Sequence, residues 1–128
     1  MPDNLVQFLH HRLDEDQAAA ERASSRSASW SPNGTLHLDG VEHDVVGDEE
    51  AFCHPHNVAH IARQDPQRAL AQVAANRAIV KGFADLHANP ARHTDAALHL
   101  SHHVMLRVVL QLASVHASHP DYDEEWCP

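Results

Sequence analysis

Apolar residues recur at helical spacing in three long segments of this 128-residue chain, and this period constrains its fold more than any other feature. In the first segment they stand at i, i+3, i+4 and i+8, which is the spacing of one helical face. These residues are Leu5, Phe8, Leu9 and Leu13. Asn4 and Gln7 resemble a capping box, and a serine-rich stretch follows at 24–27. We therefore predict a helix over 4–23.

Prolines delimit the two other long helices. Asp65 and Pro66 combine an N-cap residue with a proline at the first helical position, which predicts a helix over 66–88. Asn89 and Pro90 then stop that helix, and a last helix is expected over 94–117.

The last helix is apolar nearly all round between Val104 and Ala113, which is typical of a central, buried helix. We expect Met105 and Leu112 to be buried and to contact Phe8 or Leu9. The full core stripe predicted for this helix is Leu98, Met105, Val108, Leu112 and Val115.

The only β signal lies between the first two helices. Asn33-Gly34 and Asp39-Gly40 are favoured two-residue hairpin turns, and they predict an antiparallel β-meander over 28–46 with Trp30 opposite His37. A short helical segment, interrupted by Pro55, is expected over 48–63, and a tail over 118–128. The predicted fold class is α+β, mostly α, in a single domain over 1–128: three main helices, the short helical segment and the small antiparallel β-meander.

Charge and hydropathy exclude several classes of function. The chain has 18 acidic and 9 basic residues, and its formal charge of −9 disfavours binding to a phosphate backbone. No apolar run reaches about 18 residues, so no membrane span is expected. The first residues lack a basic stretch followed by an apolar one, so no secretion signal is expected. We predict a cytoplasmic protein in which Cys53 and Cys127 are reduced.

Histidine is unusually frequent, with 14 residues, and two of its clusters have the spacing of metal ligands. Residues four apart share one face of a helix and can hold one ion, and zinc accepts a mixture of nitrogen and sulfur donors. The candidate ligands are Cys53, His54, His56, His60, His99 and His103. Two alternatives stay open for these histidines: a proton-dependent change, or a solvated helix surface.

Cys53 beside His54 also raises the hypothesis of a nucleophile and its base. Adjacent side chains rarely point together, and no segment supplies an oxyanion hole. No catalytic residue is therefore assigned, and we predict a protein that is not an enzyme.

The acidic C-terminal tail contains two aromatic residues, Tyr122 and Trp126. Such residues pack either on their own domain or into a partner. Pro120 predicts that the last helix ends near Ser118, and Asp121 is expected to cap a short final turn. Two hypotheses follow for the tail: a clasp on the domain, or an exposed anchor for a partner.

Several of these segments together resemble one protein family. They are Asn4–Leu9, Arg12–Asp16, Trp30, His60–Pro66, Arg68–Leu70, His119–Tyr122 and Glu124–Trp126. In this order the chain is similar to the DUF6221 family, small proteins of actinobacteria and their phages with no established function. The resemblance implies a lineage and no activity. Members often carry cysteines before the last helix in a pattern that suggests zinc. In this chain that region has histidines instead: His87, His93, His99, His102 and His103.

We therefore expect an interaction or regulatory protein of actinobacterial or phage type that binds a protein partner. Self-association into a homo-oligomer is left open. The alternative is a small zinc-binding protein with a structural, histidine-rich site. Analysis of bound metal in protein purified without a histidine tag separates the two.

Overall fold

The computed structural model describes residues 2–24, 29–30, 35–38, 41–44, 60 and 63–128. Three helices lie in these ranges: α1 (Pro2–Ser24), α2 (Pro66–Ala88) and α3 (Ala96–Ser114). Two 3-10 turns accompany them, Pro90–His93 and Glu124–Trp126. The chain divides into two compact units, of which the first joins Met1–Asp14 to Ala74–Pro128 and the second is Glu15–Val73.

Helix α1 begins at Pro2, so Asn4 lies within its first turn and is not its N-cap. A proline suits this position because its missing N–H would find no partner inside the helix. The apolar face expected from the sequence is confirmed, since Leu5, Phe8, Leu9 and Leu13 are all buried.

Helix α2 is initiated by Asp65, whose Oδ1 accepts a hydrogen bond of 2.7 Å from the backbone N–H of Arg68. In the first unit this helix contributes two fully buried side chains, Val80 and Phe83, to the core. Both belong to the inner face that the sequence predicts for this helix, whereas Ala74 of that face is exposed. The predicted face consists of Leu70, Val73, Ala74, Val80, Phe83 and Ala84. Arg77 of α2 forms an ion pair of 2.5 Å with Asp14 of α1, and its hydrogen bond lowers the pKa of that carboxyl.

Helix α3 starts after Asp95, whose Oδ1 accepts the backbone N–H groups of Ala97 and Leu98 at 2.8 and 3.0 Å. These two bonds satisfy donors that a helix start leaves without intrahelical partners. The helix ends at Ser114, and its buried residues are Val109 and Ala113.

The face of α3 that enters the core differs from the predicted one. Met105 and Leu112 are only half-buried, and Val108 and Val115 are exposed. The buried face contains Val109 and Ala113. Val109 projects about 100° further round the helix axis than Val108. Because α3 carries apolar residues on nearly every side, its own period could not select the inner face. The prediction of a helix buried all round is therefore wrong.

The second unit contains three strands, Ser29–Trp30, Thr35–Leu38 and Val41–Asp44, paired antiparallel in that order. Their register pairs Trp30 with Leu36, and not with His37 as expected. A two-residue turn at Asn33-Gly34 would pair Pro32 with Thr35 and hence Trp30 with His37, so the observed register is one residue away from it.

The fold class is corrected from α+β to all-α. Every residue described as buried lies in a helix or in a 3-10 turn. The strands have only two to four residues each, which is below the usual strand length. The three helices, of 19 to 23 residues each, are the long elements of the described structure. Of the helical segment predicted over 48–63, only His60 and Arg63 are within the described residues.

Candidate functional site

The C-terminal segment leaves α3 through a series of tight turns in the first unit. The backbone N–H of His119 donates to the carbonyl of His116 at 2.9 Å, and that of Tyr122 donates to the carbonyl of His119 at 3.0 Å. Asp123 then caps the final 3-10 turn, because its Oδ1 accepts the N–H of Glu125 at 3.0 Å. The expected cap was Asp121, so the start of the turn is corrected by two residues.

Trp126 folds back onto α1. Its side chain is only 4% exposed, and its ring centroid lies 4.9 Å from that of Phe8. Tyr122 meets both rings edge-on, at 6.1 Å from Phe8 and 5.7 Å from Trp126. Its partial removal from water raises the pKa of the Tyr122 hydroxyl. The segment folds back onto α1 as the clasp hypothesis expects, and it is called the clasp below. Partner binding by Tyr122 and Trp126 stays a prediction, although Trp126 is buried.

A cavity of about 370 Å³ lies between this segment and α1. Its walls combine two aromatic rings, two basic side chains, two carboxylates and two amides. The lining residues are Phe8, Trp126, Arg12, His11, Asp121, Asp123, Asn4 and Gln7. Arg12 is buried, contacts His119 and places its guanidinium carbon 5.4 Å from the centroid of the Phe8 ring. The indole N–H of Trp126 is buried and has no acceptor among the residues that the structure describes.

A second cluster joins α2 to α3 through two histidines and Phe83. Nδ1 of His87 and Nε2 of His102 lie 2.9 Å apart, so one ring donates a hydrogen bond to the other. Both imidazoles stack on the Phe83 ring, with centroid distances of 5.7 and 5.4 Å. Arg92 lies nearby and donates from Nε to the carbonyl of His87 at 2.8 Å.

Burial lowers the pKa of His102 below its ordinary value of 6.5, and the positive charges of Arg92 and His87 act in the same direction. His99 and His93 contribute further in that sense. When folding lowers the pKa of a histidine, the unfolded state binds the proton at a higher pH than the folded state does. Its contribution to stability is therefore complete above pH 6.5 and is lost as the pH falls towards the folded pKa.

We predict that His102→Gln makes the stability less dependent on pH. Between about pH 7.5 and 5.5 the free energy of unfolding should decline less steeply than in the wild type, because glutamine does not titrate. Urea denaturation across this range measures the slope. His103→Gln, on the exposed neighbour, is the matched control and should keep the wild-type slope. Equal slopes in His102→Gln and the wild type would contradict the prediction.

The outer face of α3 carries an apolar stripe that is interrupted only by Gln111 among its described residues. Its members are Leu100, Val104, Val108 and Val115, which are 63%, 53%, 36% and 78% exposed. With 3.6 residues per turn, these side chains fall within an arc of about 80°. Gln111 is also exposed and lies in the same arc. The stripe is opposite Ala113, at the centre of the buried face.

The family model described as "Family of unknown function (DUF6221)" matches residues 2–128. The chain belongs to the DUF6221 family. The match covers both units and agrees with the resemblance drawn from the separate sequence motifs. Neither the curated proteins nor the solved structures contain a match to this chain.

The histidines proposed as ligands in this DUF6221 protein are placed as follows. His99 and His103 lie four residues apart on α3 and are exposed, and His60 is exposed in the second unit. Cys53, His54 and His56 lie outside the described residues. Across the part of the chain that is described, no three histidine, cysteine or acidic residues form a group that could hold a metal ion. The zinc site stays a prediction.

Sequence reasoning assigned no role to three features that the structure makes prominent: Arg12, the His87–His102 pair and the outer stripe of α3. Local spacing held a signal for the first two of them. Arg12 follows Phe8 by four residues, and His87 follows Phe83 by four, which places each pair on one helical face. Within the described ranges, no helix is long and apolar enough to cross a membrane.

Proposed function

We propose that this DUF6221 protein is a non-enzymatic interaction protein of the cytoplasm, and that it associates with a second copy of itself through the outer face of α3. The exposed stripe of Leu100, Val104, Val108 and Val115 is the observation that carries the proposal. A contiguous apolar surface rimmed by polar residues is typical of a protein interface.

The charges on α3 favour a second copy as the occupant. The whole chain contains 18 acidic residues, yet none lies between Ala96 and Ser114. The single formal charge in this helix is Arg107, which flanks the stripe and does not lie within it. Two copies can therefore bring these faces together without repulsion between carboxylates, although the rest of each chain is acidic.

Gln111 indicates the orientation of the two helices. In a parallel pair each stripe residue meets its own copy, and two Gln111 amides can each donate and accept a hydrogen bond. In an antiparallel pair that sets Leu100 against Val115, Gln111 would face Val104 and its amide would find no polar partner. A polar residue in an apolar seam fixes the register of paired helices. The parallel arrangement is therefore the favoured one.

The expected association is weak. Stable complexes bury about 1,200–2,000 Å² in total, and one stripe along a helix of 19 residues provides less. Dissociation constants in the micromolar range are expected for such a contact. The equilibrium between monomer and dimer should respond to the protein concentration in the cell, which is a property that a regulatory protein can use.

Sedimentation equilibrium over micromolar to submillimolar concentrations tests the proposal. The wild type should show a monomer–dimer equilibrium, and the double variant Val104→Glu/Val108→Glu should stay monomeric because it places like charges in the seam. Ala78→Glu is the matched control, since Ala78 is an exposed residue of α2 away from the stripe, and it should dimerise like the wild type. The proposal is refuted if the wild type is monomeric at every concentration, or if the double variant still dimerises.

Cross-linking tests the orientation separately. Gln111→Cys, in a chain with Cys53→Ser and Cys127→Ser, should oxidise to a disulfide-linked dimer if the helices are parallel. Val104→Cys in the same background should also form it, because position 104 meets its own copy only in the parallel seam. Dimers that do not cross-link at either position would refute the parallel arrangement.

A further inference from the structure

The segment that follows α3 is acidic, whereas α3 itself has no acidic residue. From His116 to Pro128 the sequence contains two aspartates, two glutamates and no lysine or arginine. All four of these acidic side chains are exposed: Asp121, Asp123, Glu124 and Glu125. The apolar stripe of α3 is therefore followed, along the chain, by a concentration of negative charge.

The last two of these carboxylates are held close to α3. The final 3-10 turn, Glu124–Trp126, contacts α3 within the first unit. Asp123 caps this turn by accepting the N–H of Glu125, and the buried Trp126 ring fixes the turn on Phe8. Glu124 and Glu125 therefore keep their position beside the helix for as long as the clasp is in place.

The parallel pairing of two copies brings these charges to the same end of the dimer. A two-fold axis along the seam places the acidic turns of both copies at one end, whereas an antiparallel pair would place them at opposite ends. Arg107 is the single formal charge within α3, so the helix itself offers little compensation. The dimer also joins two chains with a formal charge of −9 each, and such a charge opposes association.

Ionic strength sets the range of this repulsion. The Debye length is about 30 Å at 0.01 M salt and about 8 Å at 0.15 M, so charges on two neighbouring copies interact strongly only in dilute salt. The burial of apolar surface in the seam does not depend on this screening. Added salt therefore weakens the interaction that opposes the dimer and keeps the one that favours it.

We propose that the carboxylates of Glu124 and Glu125 oppose the association of two copies, and that ionic strength thereby controls the equilibrium between monomer and dimer. The inference rests on the proposed function, association through the α3 stripe, and adds the regulation of that contact. The clasp takes part in this control because it holds the charged turn beside α3.

Sedimentation equilibrium of the whole chain at about 0.01 M and about 0.15 M sodium chloride tests the proposal, because the Debye length differs between the two about fourfold. The dissociation constant of the wild-type dimer should be about tenfold or more lower at the higher salt concentration. Glu124→Gln/Glu125→Gln should dimerise more tightly than the wild type at the lower salt concentration and should depend less on salt.

Asp3→Asn/Asp85→Asn is the matched control, because it removes the same charge from exposed residues of α1 and α2. It should tighten the dimer less than Glu124→Gln/Glu125→Gln does. A wild type that is monomeric at both salt concentrations contradicts the association itself, and this proposal with it. If the wild type dimerises equally well at both concentrations, or if the control tightens the dimer as much, the association stands and its regulation by these carboxylates is overturned.

Discussion

Trp126→Ala is expected to lower the free energy of unfolding by about 3–5 kcal/mol, the usual loss when a buried tryptophan is truncated. The indole is 4% exposed and packs 4.9 Å from the Phe8 ring, so its removal leaves a void against α1 and releases the clasp. Tyr122 would lose its edge-on contact with the same ring. Thermal denaturation followed by circular dichroism should show a fall of roughly 10–20 °C in Tm.

Two further variants test whether the loss of the clasp causes this destabilisation. Truncation after Ser118 should destabilise the protein at least as much as Trp126→Ala, because it also removes the contacts of Tyr122 with Phe8 and of His119 with Arg12. Trp126→Phe should lose much less, since an aromatic ring remains in place. Wild-type melting of the truncated chain would show that the C-terminal segment does not hold the first unit together.

Phe83→Ala is the second substitution with a large expected effect, again about 3–5 kcal/mol. Phe83 is completely buried, and it also forms the surface on which His87 and His102 stack. Its loss should therefore create a cavity and free both imidazoles. Urea denaturation measures the first effect, and an NMR titration of the His102 ring measures the second, as a pKa that returns towards 6.5 when burial is relieved.

Phe83→Leu is the appropriate control because it keeps most of the buried apolar volume. We expect a smaller loss of stability and a His102 titration closer to that of the wild type. If Phe83→Ala proves as stable as Phe83→Leu, the ring is not the centre of the core in the first unit.

The helices could be predicted from the sequence because capping residues and apolar periodicity act over a few neighbouring residues. Pro66 and Asn89 flank α2 as the local rules require, and α2 spans Pro66–Ala88. The face of α1 was also readable, since Leu5, Phe8, Leu9 and Leu13 stand against a charged opposite side. The short turn in the C-terminal tail was also predicted from the sequence, although Asp123, and not Asp121, caps it.

The α+β class failed because it rested on two turn dipeptides. Asn33-Gly34 and Asp39-Gly40 favour hairpins locally, but they do not determine how much apolar surface the strands can bury. The buried residues that the structure describes belong to the long helices and to the 3-10 turn of Trp126. The metal hypothesis depends on the spacing of the histidines and stays a prediction, because Cys53, His54 and His56 lie outside the described residues.

The sequence by itself determined that three helices form and which faces of α1 and α2 turn inward. Apolar periodicity and capping depend only on residues that are close along the chain. The tertiary structure alone decided which side of α3 is buried. Two apolar stripes compete on that helix, one with Val109 and Ala113 and the other with Val104 and Val108. Their hydrophobicity is nearly equal, so tertiary packing, and not amphipathicity, selected the first. The same packing placed His102 against Phe83 and left the second stripe exposed.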